Sequence, residues 1–416
     1  MTRCNDLIEE AFLLYAKFVN SRKDKQMFQI PLSCTGCYAC VNICPAKCIK
    51  MKQSETGFHT PKIDQALCIN CGQCEKVCPV IHMPELSTRT VAYAMKNRDQ
   101  HERSKSTSGG IFPLLAEYVL DREGVIFGAA HDSDFSVRHI KVCERKDLSL
   151  LQGAKYVQSV IGTAFLEVKR ELVSGRIVLF SGTPCQCAGL RSFLGKLYEN
   201  LITVDIICHG VPSPKVWQEY VDYRSQKENA GKRPIKINMR SKSSGWSHYG
   251  YSTEFDYGDG KISQIGNGHD LFMKAFVGNI CLRASCSDCK MKGVERCTDF
   301  TLGDYWGIWN QHPEFDDNKG TSVVFVHTQK GREILEQLSD KMDCLKVDIE
   351  DAYKENGSLV NSSRPHPRRD EFLKQITVDN FEELVKKYFP QESVQKPGLL
   401  QRIKGKLGRI FWRGWS

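Results

Sequence analysis

The chain has no long apolar run. Nowhere in its 416 residues do eighteen or more apolar side chains follow one another, as a membrane-crossing helix requires, so no transmembrane helix is expected. No leader is expected either: MTRCNDLIEEAF carries acids where a signal peptide would carry its apolar stretch, so export is not expected. Excess charge is scarce over most of the length. The formal net charge is +9, but six Lys/Arg and no acid fall within residues 396–416, leaving about +3 for the remainder. That distribution excludes a nucleic-acid-binding body and describes a near-neutral protein with a basic tail. With 41% apolar and 26% charged residues, the chain reads as a soluble globular protein of two or three domains.

Cysteine is the exception to this scarcity. Nineteen are present, and ten of them fall within the first 78 residues. In an exported chain that density would mean disulfides. Without a leader, cysteine serves metal binding or catalysis, and a reducing cytoplasm is the expected compartment. Eight of the ten follow one spacing, met twice: Cys34-x2-Cys37-x2-Cys40-x3-Cys44-Pro45 and Cys68-x2-Cys71-x2-Cys74-x3-Cys78-Pro79. Two-residue gaps in a tight loop let three thiolates converge on one cubane face, while the fourth cysteine diverges and ligates the other cluster. Cys34, Cys37, Cys40 and Cys78 are therefore expected to hold one 4Fe–4S cluster, and Cys68, Cys71, Cys74 and Cys44 a second. Zinc, the rival, takes pairs of ligands separated by a longer loop. Cys48 lies outside both sets and reads as a small buried hydrophobe.

Residues 5–19 have the apolar spacing of a packing helix. QSETGFHTPKID, between the two cysteine runs, reads as a turn or hairpin around Gly57. From about Val91, strand-like stretches (VAYAMK, GVIFGAAH, VRHIKVC, RIVLF, LITVDIICHG) alternate with helical ones (SGGIFPLLAEYVL, VIGTAFLEVKREL, CAGLRSFLGKL, PKVWQEYVDYRSQ). TSVVFVHTQKGREILEQL adds one further unit. The expected fold class is α+β, a ferredoxin-like dicluster module fused to a mixed α/β domain. The segments are an N-terminal helix (1–30), the cysteine module (31–86), the larger domain (91–389, in two parts meeting near 175) and a basic amphipathic tail (390–416).

Four stretches of the larger domain carry chemistry. KSTSGGIFPLLAEYVL puts Ser106, Ser108, Gly109 and Gly110 at the mouth of a helix, where free N–H groups receive an anionic oxygen. RIVLFSGTPCQCAGL is a strand ending in Gly182-Thr183-Pro184-Cys185-Gln186 ahead of a helix. Strand ends are where α/β sheets bind ligands, and a helix N-terminus is expected to lower the Cys185 pKa, suiting a thiolate ligand or a nucleophile. LITVDIICHGVPSP ends with Cys208-His209-Gly210 at what should be the same edge. The fourth stretch supplies Cys281-x4-Cys286-x2-Cys289 and Cys297, a spacing like the plant-type cluster loop, which also takes one distant cysteine. Zinc held by four local cysteines is its rival. Asp299, Asp304, Tyr305 and Trp306 follow beside it. NMRSKSSGWSHYG, with Arg240, Lys242 and Trp246, reads equally as a basic patch for an acidic substrate or as a strand and turn with solvated charges.

GTPCQCAGL, CHGVPSP, the TLGDYWG stretch after the cysteine loop, and SGGIF resemble the signature stretches of the coenzyme F420 hydrogenase/dehydrogenase beta-subunit family. The resemblance runs from roughly Val91 to Phe389, with the ferredoxin module fused in front. It implies a flavin-binding domain with FAD and a third 4Fe–4S cluster. It also implies an oxidoreductase passing electrons between clusters and a hydride carrier, coenzyme F420 or another organic substrate. On this resemblance Cys281, Cys286 and Cys289 are ligands of the third cluster. Cys185 is the first choice for the fourth, ahead of Cys297 and then Cys208. Ser108, Gly109, Gly110, Lys155, Tyr156, Gln158 and Thr183 would lie near FAD.

Two other readings compete with this enzyme: a non-catalytic electron-transfer subunit, and an iron–sulfur scaffold in membrane-associated polysaccharide assembly. A redox partner protein or ferredoxin is expected for the enzyme and for the electron-transfer subunit. The tail, KPGLLQRIKGKLGRIFWRGWS, pairs an apolar stripe with Lys/Arg and ends in Trp412 and Trp415, which fits an interfacial helix on the inner face of a membrane or docking on a protein.

Overall fold

The computed structural model describes residues 28–390, so the expected N-terminal helix and basic tail lie outside the described residues. The strands are β1 (Ile49–Gln53), β2 (His59–Ile63), β3 (Val91–Asn97), β4 (Val125–His131), β5 (Val137–Val142), β6 (Val178–Gly182) and β7 (Leu201–Ile206). They continue with β8 (Lys236–Ser241), β9 (Ser252–Asp256), β10 (Ile262–Gly266), β11 (Phe300–Asp304), β12 (Ser322–Val326) and β13 (Met342–Val347). An eight-stranded mixed sheet runs β13-β3-β12-β11-β7-β6-β4-β5. Its central strands β11, β7, β6 and β4 are parallel, and the strands toward either edge are antiparallel.

Both faces of this sheet are covered, which is why its central strands read as nearly unbroken apolar runs. In β12, Val324 and Val326 enter one core while Val323 and Phe325 enter the opposite one. In β4 and β6, Ile126 and Leu179 face the first core, whereas Val125, Phe127, Val178 and Phe180 face a third. Helices Ile111–Leu120 and Gln329–Gln337 cover the first face. Helices Ala164–Val173 and Pro184–Leu194 cover the other at the β4–β6 end.

The cysteine module docks on that same face. Its hairpin β1–β2 pairs Gln53 with His59 around the Gly57 turn, as the sequence suggests. Cys37, Tyr38, Ala39 and Val77 belong to one continuous core with Phe165, Leu190 and Phe193. A Cβ on Gly189 would stand 3.0 Å from both Cβ and Sγ of Cys37, so a glycine there lets the cysteine loop lie directly on the helix.

In the antiparallel sheet β10-β9-β8, β8 carries the start of the NMRSKSSGWSHYG strand-and-turn reading, whereas β9 and β10 have no counterpart among the strands read from the sequence. The sheet packs with helix Pro214–Asn229 and three later helices around an aromatic core that includes Trp217, Tyr220, Phe255, Phe272, Phe381 and the Cys281 thiol.

Two glycines separate close packing from backbone freedom. A Cβ on Gly109 would lie 2.3 Å from the Met95 carbonyl oxygen and 2.6 Å from the Ser322 nitrogen. Gly195 closes helix Pro184–Leu194 at φ 68 with nothing within 4 Å of a Cβ. We expect Gly109→Ala to lower stability by about 3 kcal/mol, as overpacking against backbone does. Gly195→Ala should cost only about 1 kcal/mol, the left-handed penalty. Denaturant titration of both variants checks the order, which equal losses would contradict.

Candidate metal centres and cofactor site

The repeated spacing produces a repeated backbone. The residue after the second cysteine of each run, Tyr38 or Gly72, is left-handed (φ 70 and 72), and so is the residue before it, Gly36 or Asn70 (φ 69 and 51). Each run then enters a short helix, Ala39–Ile43 or Gln73–Lys76, carrying its third cysteine. Tyr38 accepts the strained conformation in exchange for burying its ring, which is 4% exposed.

Cys34, Cys37, Cys40 and Cys78 line one cavity, otherwise walled by apolar side chains such as Ile30, Met51 and Val80. Cys44, Cys71 and Cys74 stand near one another, with Cys68 close to Cys48. Cys48 is buried as expected, with its sulfur 3.4 Å from that of Cys44. Burial and neighbouring thiols push Cys40 up to about 12 and Cys74 up to about 11. All eighteen described cysteines are free thiols.

A second cavity collects Cys185, Cys208, Cys286 and Cys289. Parallel pairing of β6 with β7 brings their C-terminal ends to one edge, Gly182 opposite Asp205, and Cys185 and Cys208 follow directly. Cys185 lies in the first turn of helix Pro184–Leu194, capped reciprocally by Thr183 and Gln186. Its pKa is not lowered there. Burial, then the Cys289 and Cys286 thiols, push it up to about 12 and outweigh the helix terminus. The Val211 N–H points at the Cys286 sulfur at 3.4 Å.

The structure does not bring Cys281 to this group. Its side chain lies fully buried in the aromatic core, and its carbonyl accepts from the Ser213 N–H at 2.9 Å. Cys297 likewise lies elsewhere, beside Asp205 and Arg191 and near the buried Cys187. Among the described residues, no three His, Cys, Asp or Glu are drawn together as tightly as a single metal ion needs; the cysteines stand around cavities.

The two cavities adjoin. Thr35 lines both. Arg283, 6% exposed, lines the second and donates to the carbonyls of Cys34 and His59, each at 2.9 Å, on the cysteine module.

The residues expected near a flavin divide into two groups. Gln158 and Thr183 face the metal side. The Gln158 side-chain oxygen accepts from the His59 N–H at 3.0 Å, and Thr183 is occupied with Gln186 and the Cys185 sulfur. Tyr156 and Ser108 adjoin a separate polar centre. The Tyr156 hydroxyl accepts from Arg240 at 2.8 Å, and Arg240 pairs with Asp304 at 2.9 Å while lying 3.8 Å from the Tyr251 ring centre. Lys242 is not a free surface cation; it donates to the carbonyls of Ser108, Arg103 and Lys319. Trp246 is fully buried and stacks on Trp306. Gly109 and Gly110 pack on β3 and β12, and Gly109 N–H donates to Ser322 Oγ. Lys155 donates only to the carbonyls of Leu150 and Gln152, and burial pushes it down to about 7.

Residues 33–81 match a 4Fe–4S dicluster domain. Residues 175–352 match the family described as the C terminus of the coenzyme F420 hydrogenase/dehydrogenase beta subunit. Over residues 175–352 the chain is similar to this beta-subunit family, and over residues 33–81 to dicluster ferredoxins. Among curated relatives, it is 25% identical over 319 residues to the coenzyme F420-dependent sulfite reductase of Methanocaldococcus jannaschii, covering 72% of this chain and 45% of that one. Over 52 residues it is 42% identical to NADH-quinone oxidoreductase subunit I 2 of Geobacter metallireducens, 11% of this chain and 40% of that one. Over 64 residues it is 39% identical to the 7Fe ferredoxin of Hydrogenibacillus schlegelii, 15% of this chain and 76% of that one. The chain thus spans less than half the length of the first two. One chain of the F420-reducing NiFe hydrogenase complex from Methanosarcina barkeri aligns over 71% of this chain and 91% of its own length, at 17% identity and TM-score 0.42.

The residues that sequence reasoning left out are those that bind elements together. Arg283 carried no signal beyond standing two places after Cys281. The Arg240–Asp304 pair joins two motifs noted separately, and only the tertiary fold unites them.

A polar thread sets the metal edge. Gln186 donates to Ser159 Oγ at 2.8 Å, Ser159 meets His139 Nδ1 at 3.2 Å, and His139 Nε2 reaches the Ser181 carbonyl at 2.9 Å. Burial pushes His139 and His131 down to about 4. Between about pH 6.5 and pH 4, the unfolded chain therefore binds protons that the folded chain refuses. Stability from these groups is complete above about pH 6.5 and falls on acidification through that window. Urea midpoints at pH 7 and pH 5 should differ less in His139→Gln than in the unaltered protein; equal differences would contradict the assignment.

Proposed function

We propose that this protein is an iron–sulfur flavoprotein oxidoreductase whose ferredoxin module exchanges electrons with a third cluster at the edge of the main sheet. The adjoining of the two cysteine-lined cavities, through Thr35 and across the Gly189–Cys37 contact, is the observation that carries this reading. Cys34, Cys37, Cys40 and Cys78 would hold the first cluster, and Cys68, Cys71, Cys74 and Cys44 the second. Cys185, Cys208, Cys286 and Cys289 would hold the third, with Cys208 taking the place expected for Cys281. Thiols as buried as Cys185 ionise only beside positive charge, which iron supplies.

The residues around Arg240 fit a flavin or deazaflavin ring. Arg240 Nε and Nη2 and Asp304 Oδ1 are buried without a hydrogen-bond partner, so a donor pair and an acceptor are left over beside the rings of Tyr156, Tyr251 and Trp306. Bound FAD would exchange single electrons with clusters and two with an organic substrate, such as coenzyme F420. Asp304 and Tyr156 both accept from Arg240 Nη1 and so orient the guanidinium, leaving Nε and Nη2 free to donate, while the aromatic side chains exclude water. Lys155, a half-buried amine paired only with carbonyls, would regain its full charge beside an anionic group such as a cofactor phosphate.

Anaerobic purification with iron, sulfide, zinc and flavin measured on one sample tests this reading. About twelve irons and one flavin per chain are expected. Cys208→Ala should lose about four irons and Cys281→Ala none, while Arg240→Ala should lose flavin with iron retained. About eight irons with zinc and no flavin would contradict the reading and leave a relay without a substrate site.

A further inference from the structure

The two adjoining cavities differ in charge. The cavity around Cys34, Cys37, Cys40 and Cys78 is lined by no charged side chain. The one around Cys185, Cys208, Cys286 and Cys289 is lined by Arg283, Lys292 and Arg296, and by no carboxylate. Arg296 is offset by Asp205, whose carboxylate lies 3.6 Å from its Nε. Arg283 and Lys292 have no such offset among the described residues. Their side-chain hydrogen bonds run to backbone carbonyls: Arg283 to Cys34 and His59, Lys292 to Cys208 and Ser358.

A cluster gains a negative charge when it takes up an electron. Apolar walls disfavour the more negative form, whereas fixed cations within a few ångströms favour it, and net charge and hydrogen bonding around the sulfurs set the potential. Resting on the reading that the second cavity holds a cluster, we propose that Arg283 and Lys292 are potential-setting residues that make the third cluster the stronger electron acceptor, so that electrons run inward from the ferredoxin module. The step moves one electron: the first cluster is oxidised, the third is reduced, and no bond or proton changes hands. Arg283 has a further role, because its two hydrogen bonds hold the Cys34 loop against the second cavity. Lys292 lines the second cavity and not the first, so its charge acts chiefly on the third cluster.

The test is a potentiometric titration of the full, anaerobically purified chain followed by electron paramagnetic resonance, with Cys286→Ser identifying the signal of the third cluster. The unaltered protein should show the third cluster reducing at a higher potential than the first. Lys292→Gln should move the third signal to lower potential and leave the two ferredoxin signals in place, while Lys292→Arg should keep it near its original value. Arg283→Lys should keep the potential order. A third cluster at or below the potential of the first would overturn the proposal even if neither the Lys292 nor the Arg283 variants fold, as would a Lys292→Gln protein with unchanged potentials. A sample with only two cluster signals and about eight irons would instead remove the underlying cluster assignment, and the proposal with it.

Discussion

A thiol taken out of water resists ionisation, and several thiols gathered in one buried place resist it more. That constraint organises this molecule. Burial and neighbouring thiols raise Cys37, Cys40, Cys185 and Cys208 well above an ordinary thiol, each in a cavity walled by protein. Such groups become ligands only when a multivalent cationic core enters among them, so folding and cofactor assembly are coupled. The hydrophobic core serves the same arrangement. Cys37 and Ala39 pack into one core with Leu190 and Phe193, and the small volume of Gly189 leaves no side chain between module and helix.

Much of this was legible in the sequence where chemistry and spacing coincide. The doubled cysteine run identifies the dicluster domain, and short apolar runs between turn residues identify β3 to β7, because both are local signals. The three-stranded sheet was only partly legible: the start of NMRSKSSGWSHYG reads as a strand, but Lys236–Ser241 buries the polar Arg240 and Ser241, and Ile262–Gly266 alternates exposed and half-buried residues with no buried apolar position. Site residues escaped for another reason. Cys281 shares the loop and spacing of Cys286 and Cys289, yet its side chain points into the Trp217–Phe272 core. Cys208 sits seventy-eight places from Cys286 in the sequence. The sequence places Cys208 at the Cys185 edge but ranks it third as a ligand; the parallel register of β6 and β7, a long-range property, is what brings it into the cavity with Cys185.

The flavin candidates divide along the same line. Resemblance grouped Gln158 and Thr183 with Tyr156, but their side chains look toward the cysteine module and the helix cap. The Lys155–Gln158 stretch therefore passes between the polar centre at Arg240 and the metal edge, with Tyr156 serving one side and Gln158 the other. One segment thus separates the two proposed cofactor sites without belonging wholly to either.

Anomalous diffraction at the iron and zinc edges, from crystals of the full chain grown without oxygen, tests the central claim most directly. The account predicts three separate iron centres, the third enclosed by Cys185, Cys208, Cys286 and Cys289 and adjoining the one held by Cys37. Two iron centres alone, a zinc signal in the second cavity, or a third centre bound by Cys281 would contradict it.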